Sequence, residues 1–138
     1  MPYSINDIQK ILAARWLQKS DPDAGVEQLL FDSRQVAMPS RSLFFALSGE
    51  RLDGHRYLPD LYRAGVRQFV VSQAVAVESY PDANILLVKN TLQALQSLAQ
   101  YHRSKFRIPV VGITGSNGKT VIKQWLWQLL SHDSHIVS

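Results

Sequence analysis

The 138-residue chain has no cysteine, which excludes disulfides and thiolate metal sites and fits a reducing compartment without requiring one. Long apolar runs are missing as well. The best are short stretches such as Leu43 to Leu47, far from the roughly 18 residues that a membrane-spanning helix needs. The opening Met1-Pro2-Tyr3-Ser4-Ile5-Asn6-Asp7 has no basic stretch followed by an apolar one, so it does not read as an export signal. A cytoplasmic protein with no membrane partner is the expectation. Internal repeats and low-complexity segments are also lacking, and the chain reads as globular.

Acidic residues are the scarcer charge, 11 Asp+Glu against 15 Lys+Arg, for a formal +4. The basic excess is scattered through Arg34, Arg41, Arg51, Arg56, Arg63 and Arg67. The one concentration, Tyr101-His102-Arg103-Ser104-Lys105-Phe106-Arg107, reads as a helix C-terminus, where the dipole favours cations. No nucleic-acid partner is expected; a phosphate-rich small ligand would use such charge equally well.

The 46% hydrophobic content is enough for one ordinary core, or for a small core and part of a second. Ser4-Ile5-Asn6-Asp7 has the capping-box pattern, and Ile5, Ile8, Ile11 and Leu12 follow at helical spacing. Past the turn-rich Ser20 to Gly25, the runs Gln28 to Phe31 and Leu43 to Leu47 read as strands. Tyr57, Leu58, Leu61 and Tyr62 form a helical stripe, Gly65 falls where a left-handed cap belongs, and Gln68 to Val71 reads as the next strand. Ile85 to Val88 is a further buried-type strand. Thr91 is placed to cap a helix whose Leu92, Leu95, Leu98 and Ala99 share a face. Pro109 disfavours helix in the residue before it, so a domain boundary is expected near Arg107, with Val110 to Ile113 as the first strand of a new unit.

From Gly112 the chain reads Gly-Ile-Thr-Gly-Ser-Asn-Gly-Lys-Thr, between a β-type run and a helix-length apolar stretch. Glycines let successive backbone amides turn inward on phosphate oxygens, and the following helix presents its positive end to the same anion. Lys119 would reach the terminal phosphates and the Thr120 hydroxyl would ligate Mg²⁺. The usual pattern wants glycine where Ile113 stands. Here glycine recurs at every third position instead, Gly112, Gly115 and Gly118, a variant found in one group of ATP-dependent ligases. The competing reading is a plain glycine-rich turn with a solvated lysine.

The stretch Val110 to Thr120 resembles the ATP loop of the Mur ligases and folylpolyglutamate synthases. Phe31 to Ser72, with Asp-Ser-Arg, Leu-Phe-Phe-Ala-Leu-x-Gly-Glu and Asp-Gly-His, is similar to the N-terminal uridine-nucleotide-binding domain of the MurE and MurF branch. The resemblance implies an α/β chain in two parts. Residues 1–107 would be a small mixed-sheet domain that binds the UDP-sugar. Residues 108–138 would be the first strand, P-loop and helix of an incomplete α/β ATP-binding domain. It implies ATP contacts at Gly115, Ser116, Asn117, Gly118, Lys119, Thr120 and Val121, with Lys119 and Thr120 catalytic and Thr120 the Mg²⁺ ligand. It implies UDP-sugar contacts at Ser33, Arg34, Glu50, Arg51 and Leu52.

Physical chemistry leaves some of these open. Ser33 at a strand end can donate to a diphosphate oxygen, and Arg34 and Arg51 can supply countercharge. Yet Asp32-Ser33-Arg34 can equally be a hydrogen-bonded turn, with Arg34 in a structural ion pair. His55 reads as part of a turn and helix start before it reads as a ligand contact. His132 and His135 have metal-like spacing without acidic or thiol companions and read as a surface tail.

The run from Gly115 to Trp125 departs from the branch's usual threonines after the lysine, and most resembles the MurF-like half of a bacterial ligase fused to alanine racemase. Such a parent would join D-alanyl-D-alanine to UDP-MurNAc-tripeptide through an acyl phosphate, with pyridoxal phosphate in the racemase half. The chain in hand would be its front part and inactive alone. A ligase of the MurE type adding a diamino acid, a small P-loop module, and an interaction domain with an empty glycine turn are the rivals. Val121, Ile122, Trp125, Leu126, Trp127, Leu129 and Leu130 cover more than one face of a helix, so 110–138 is expected to self-associate or fold back on the first domain.

Overall fold

The computed structural model describes residues 3–115 and 118–131. The chain divides into two compact units, Met1–Phe106 and Arg107–Ser138. In the first, β1 (Tyr3–Ser4) leads into α1 (Ile5–Leu12), β2 (Arg15–Gln18), β3 (Gly25–Val26), β4 (Gln28–Leu30) and β5 (Ser42–Phe45). Then come α2 (Leu58–Arg63), β6 (Gln68–Val71), β7 (Asn84–Leu87) and α3 (Thr91–Ser104). The main sheet runs β2-β7-β6-β5-β4, parallel from β4 to β7, with β2 antiparallel on the β7 edge. It is a mixed sheet in an α/β unit, as expected; β1 and β3 form a separate two-stranded ribbon.

Side chains alternate across a strand, so each central strand feeds two cores. Leu43, Phe45, Val70 and Leu86 face Ile5, Ile8 and Leu98 of α1 and α3. Phe44, Phe69 and Ile85 face the other way, onto Leu58 and Leu61 of α2 and onto Tyr80. With both faces covered, every residue of β5 and β6 is buried, the condition under which parallel strands carry near-continuous apolar runs. Burying one such aromatic side chain is worth about 1.5–3 kcal/mol.

The capping box at α1 forms as read: the Ser4 hydroxyl accepts from the Asp7 amide at 3.1 Å, and the Asp7 carboxylate accepts from the Ser4 amide at 3.0 Å. Gly65 sits at φ 106°, the left-handed region that glycine tolerates. Thr91, however, does not cap α3. Asn90 does, its side chain accepting from the Gln93 amide at 2.9 Å. Thr91 is buried one position later and donates to the Ala46 carbonyl at 2.8 Å, because a buried hydroxyl needs a partner. Strand β2 was not foreseen, and Val110 to Ile113, expected as a strand, carries no strand geometry. Extended backbone becomes a strand only through ladder hydrogen bonds, and among the described residues nothing pairs with it. Among its described residues the second unit carries α4 (Lys119–Leu130). No helix among the described residues is long and apolar enough to cross a membrane.

His55 is buried and committed at both ring nitrogens. Nδ1 lies 2.6 Å from Asp53 Oδ1, and Nε2 accepts from the Ser72 amide at 3.0 Å. That pairing requires the neutral tautomer with its proton on Nδ1. The ring therefore ties the segment after β5 to the end of β6, which makes His55 structural, as its turn-and-helix-start reading implied. Gly54 beside it packs against backbone, and a Cβ there would lie 2.8 Å from the Leu47 nitrogen.

Two outcomes follow for stability. Gly54→Ala should cost about 1–3 kcal/mol, since the obstructing atoms are main chain and cannot swing aside, and urea denaturation will read the loss. The His55 hydrogen bond holds the Asp53 carboxyl below its usual range. A depressed carboxylate pKa contributes stability above pH about 4 and loses it as pH falls through the folded value. Thermal melts between pH 7 and pH 3 should thus show a smaller drop for Asp53→Asn than for the parent chain, from a lower starting point.

Candidate functional site

Parallel strands joined by crossovers all end on one edge, and open α/β sheets bind ligands there. At that edge, β4 runs into Phe31-Asp32-Ser33-Arg34 and the neighbouring β5 into Ala46 to Asp53. The register Leu30↔Phe44 makes these two segments emerge side by side. The structure therefore brings the two groups of predicted UDP-sugar contacts, Ser33 and Arg34 on one segment and Glu50, Arg51 and Leu52 on the other, to adjacent strand ends.

The first segment is a turn built on Asp32. Its carboxylate accepts from the Arg34 amide and Nε, each at 3.0 Å, and from a terminal guanidinium nitrogen at 2.8 Å. This fork holds the Asp32 pKa at about 2. Arg34 is thus in the ion pair that its sequence reading left open, and it lies exposed, where such a pair adds little to stability. Ser33 is half-buried, and its hydroxyl has no partner among the described residues.

The second segment closes on itself. The Gly49 amide donates to the Leu52 carbonyl at 2.8 Å, and Ser48 bridges to Asp53. Glu50, Arg51 and Leu52 stand out at the tip; Leu52 is 63% exposed, an unusual place for a large aliphatic side chain. Arg51 makes no ion pair among the described residues. Below the tip, the His55 tether to Ser72 fixes the base of the loop. The arrangement offers a hydroxyl, a free guanidinium and an apolar cap, a set suited to a phosphorylated ligand.

Farther along the same edge lies a cleft of about 650 Å³ that the sequence reading missed. Ser72 beyond β6, Lys89 and Asn90 beyond β7, and Arg15 at the start of β2 line it, with the end of α1 and the first turns of α3 as walls. Arg15 escaped notice because β2 did. Lys89 directly follows a predicted strand, and its place at a carboxyl end was the available signal.

In the second unit Gly115 and Gly118 take φ 137° and 75°, values that call for glycine. Gly118 is the N-cap of α4, so no side chain caps the helix. The amides of Lys119, Thr120 and Val121 lie in the first turn, where a helix leaves its N–H groups without intrahelical partners, and they form the positive end of a twelve-residue helix. Lys119 and Thr120 are exposed beside them. This backbone fits a phosphate group. For Mg²⁺ the fit is partial: Thr120 supplies one hydroxyl, and among the described residues no cluster of His, Asp or Glu could complete a metal site. Ser116, Asn117, His132 and His135 lie outside the described residues.

A sequence profile described as "Mur ligase family, catalytic domain" matches residues 26–103, more than half of the chain and all within the first unit. The UDP-N-acetylmuramoyl-tripeptide–D-alanyl-D-alanine ligase of Haemophilus influenzae is 38% identical over 125 residues, which is 91% of this chain but 26% of that protein. The UDP-N-acetylmuramoylalanyl-D-glutamyl-2,6-diaminopimelate–D-alanyl-D-alanyl ligase of Acinetobacter baumannii superposes with a TM-score of 0.81 at 27% identity, over 97% of this chain and 29% of that one. A MurF ligase from Thermotoga maritima, solved in complex with ADP, matches with a TM-score of 0.62 at 29% identity over 78% of this chain and 24% of its own. The chain thus spans about a quarter of the length of such relatives. On the profile match over the greater part of its length, the chain belongs to the Mur ligase family.

Proposed function

We propose that this chain is the UDP-sugar-binding front of a peptidoglycan-precursor ligase that joins D-alanyl-D-alanine to UDP-MurNAc-tripeptide at the expense of ATP. Residues 1–107 take the UDP-sugar and 108–138 open the ATP-binding domain. The observation that carries the reading is the occurrence in one chain of two separate phosphate-suited elements, the paired loops after β4 and β5 and the uncapped glycine turn before α4. The H. influenzae relative, which runs through both, supports it.

In this reaction a terminal carboxylate oxygen of the tripeptide attacks the γ-phosphorus and the bond to ADP breaks. The amine of the incoming dipeptide then attacks the acyl carbon and phosphate leaves. The residues here position and neutralise. Ser33 donates to the nucleotide diphosphate and Arg51 offers countercharge, while Glu50 and Leu52 close over the ligand from the loop tip. Arg34 can join only by sharing its guanidinium with Asp32. Backbone amides from Gly115 to Val121, with Ser116 and Asn117 between, cradle the ATP phosphates, and the Lys119 ammonium meets the charge that develops on the γ-phosphoryl group. Thr120 would hold Mg²⁺, which screens the phosphates when bound. The run Thr120-Val121-Ile122-Lys123, a single threonine where the branch usually has several after the lysine, supports the finer proposal of a parent fused to alanine racemase; any pyridoxal phosphate belongs to that half.

Calorimetry tests the first unit. UDP-MurNAc-tripeptide should bind, and Ser33→Ala or Arg51→Ala should each cost about 1.5–3 kcal/mol, the usual worth of a hydrogen bond to a charged group. In the parent enzyme, Lys119→Ala should abolish acyl-phosphate formation and leave UDP-sugar affinity nearly intact. Absence of heat at millimolar ligand with folded protein overturns the reading.

The same reading includes self-association through residues 110–138. Val121, Ile122, Trp125, Trp127, Leu129 and Leu130 are all exposed, Trp125 at 62% and Leu129 at 73%. Covering them is worth on the order of 10 kcal/mol. Light scattering at micromolar concentration should report a dimer or larger species, and a chain ending at Arg107 should be monomeric. Equal, monomeric masses would refute it.

A further inference from the structure

We infer that the cleft beyond β6 and β7 binds the carboxylate-bearing peptide arm of the UDP-sugar substrate, an inference that rests on the first unit being the UDP-sugar-binding one. The placement comes from register. Arg15 pairs with Leu87, so the antiparallel β2 begins where β7 ends, and Arg15 meets Lys89 at the same carboxyl edge that carries Ser33 and Arg51. The cleft, about 650 Å³, falls within the range of roughly 300–1,000 Å³ typical of small-molecule sites.

Its chemistry selects an aliphatic anion. Arg15 and Lys89 are exposed cations that make no ion pair among the described residues, and no Asp or Glu lines the cleft. The hydroxyls of Ser72 and Ser97 and the side-chain amide of Gln93 likewise make no hydrogen bond among the described residues, so five donor groups stand free around one space. No aromatic ring lines it, which leaves a nucleobase nothing to stack on. The floor is aliphatic instead: Ile11, Leu12, Leu87, Val88 and Ala94. A short peptide with free carboxylates meets all of these conditions. A carboxylate accepts a planar guanidinium two-pronged and an ammonium as a point charge, while its methyl and methylene groups cover the floor.

The distance is right for a continuous ligand. From β4 to β7 is three strand spacings, about 14 Å. An extended tripeptide alone reaches about 10 Å. The sugar and diphosphate cover the rest, so a nucleotide anchored at Ser33 lays its peptide along the edge toward Lys89.

The test compares UDP-MurNAc-tripeptide with UDP-N-acetylglucosamine, which shares the nucleotide and amino sugar and has no carboxylate. Binding to the 138-residue chain is measured by calorimetry. The tripeptide ligand should bind at least tenfold tighter. The Arg15→Ala, Lys89→Ala double variant should lose that advantage and keep its affinity for UDP-N-acetylglucosamine; Ser33→Ala should weaken both ligands and keep the advantage. Lys89→Glu, with the parent's melting temperature, should push the tripeptide ligand below the sugar nucleotide. A double variant that retains the full advantage, or a parent chain that binds the two ligands equally, overturns the inference and leaves the UDP-sugar reading standing. A folded parent chain that binds neither overturns both.

Discussion

Everything in the first unit follows from one constraint: in a row of four parallel strands, the two central ones, β5 and β6, are buried on both faces. Parallel neighbours cannot be joined by tight turns, so the chain must cross over a sheet face between strands and re-enter at the same end. Each crossover from β5 onward covers a face with a helix or turn, and each strand delivers its next segment to the same edge. Phe44, Phe45 and Phe69, all fully buried, are the heaviest contributors to this arrangement. The gathering of Ser33, Arg51, Ser72, Lys89 and Arg15 along one edge is its consequence. A ligand that touches several of them needs no further folding event to assemble its site.

A second set of interactions braces this edge. Segments beyond strand ends are free of the ladder, and left alone they would sample many conformations at a cost of about 1–2 kcal/mol for each residue later ordered. His55 removes much of that freedom by joining Asp53 to the Ser72 amide, and Gly54 allows the main chain to press against Leu47. Asp32 does the same for the first turn by holding Arg34 at backbone and side chain together. These contacts stiffen the platform and leave the tip, Glu50 to Leu52, exposed to a ligand.

Much of this was readable in the chain. The central strands are buried on both sides, so their apolar runs announce themselves, and Ser4 with Asp7 and the left-handed Gly65 behave as local rules require. What escaped depends on partners distant in sequence. Strand β2 exists because Arg15 to Gln18 finds β7 some seventy residues later; its own composition has no strand alternation to betray it. The choice of Asn90 over Thr91 as cap turns on Ala46, whose carbonyl takes the threonine hydroxyl. Val110 to Ile113 is the reverse case, a strong local strand pattern that finds no ladder neighbour among the described residues. Candidate-site residues with a family pattern, such as Ser33 and Lys119, were visible as motifs, whereas Arg15 and Lys89 become a pair only through sheet register.

The central claim is that two anion-binding elements in separate units recognise different phosphates. Hydrogen–deuterium exchange read at residue level tests this most directly, with UDP-MurNAc-tripeptide and ADP with Mg²⁺ added in separate experiments. The account predicts that the sugar nucleotide slows exchange at residues 31–35 and 47–53 and leaves 118–121 unchanged, while ADP slows exchange at Gly118 to Val121 and leaves both loops of the first unit unchanged. Protection of one common set of amides by both ligands, or of neither set by either, would contradict it.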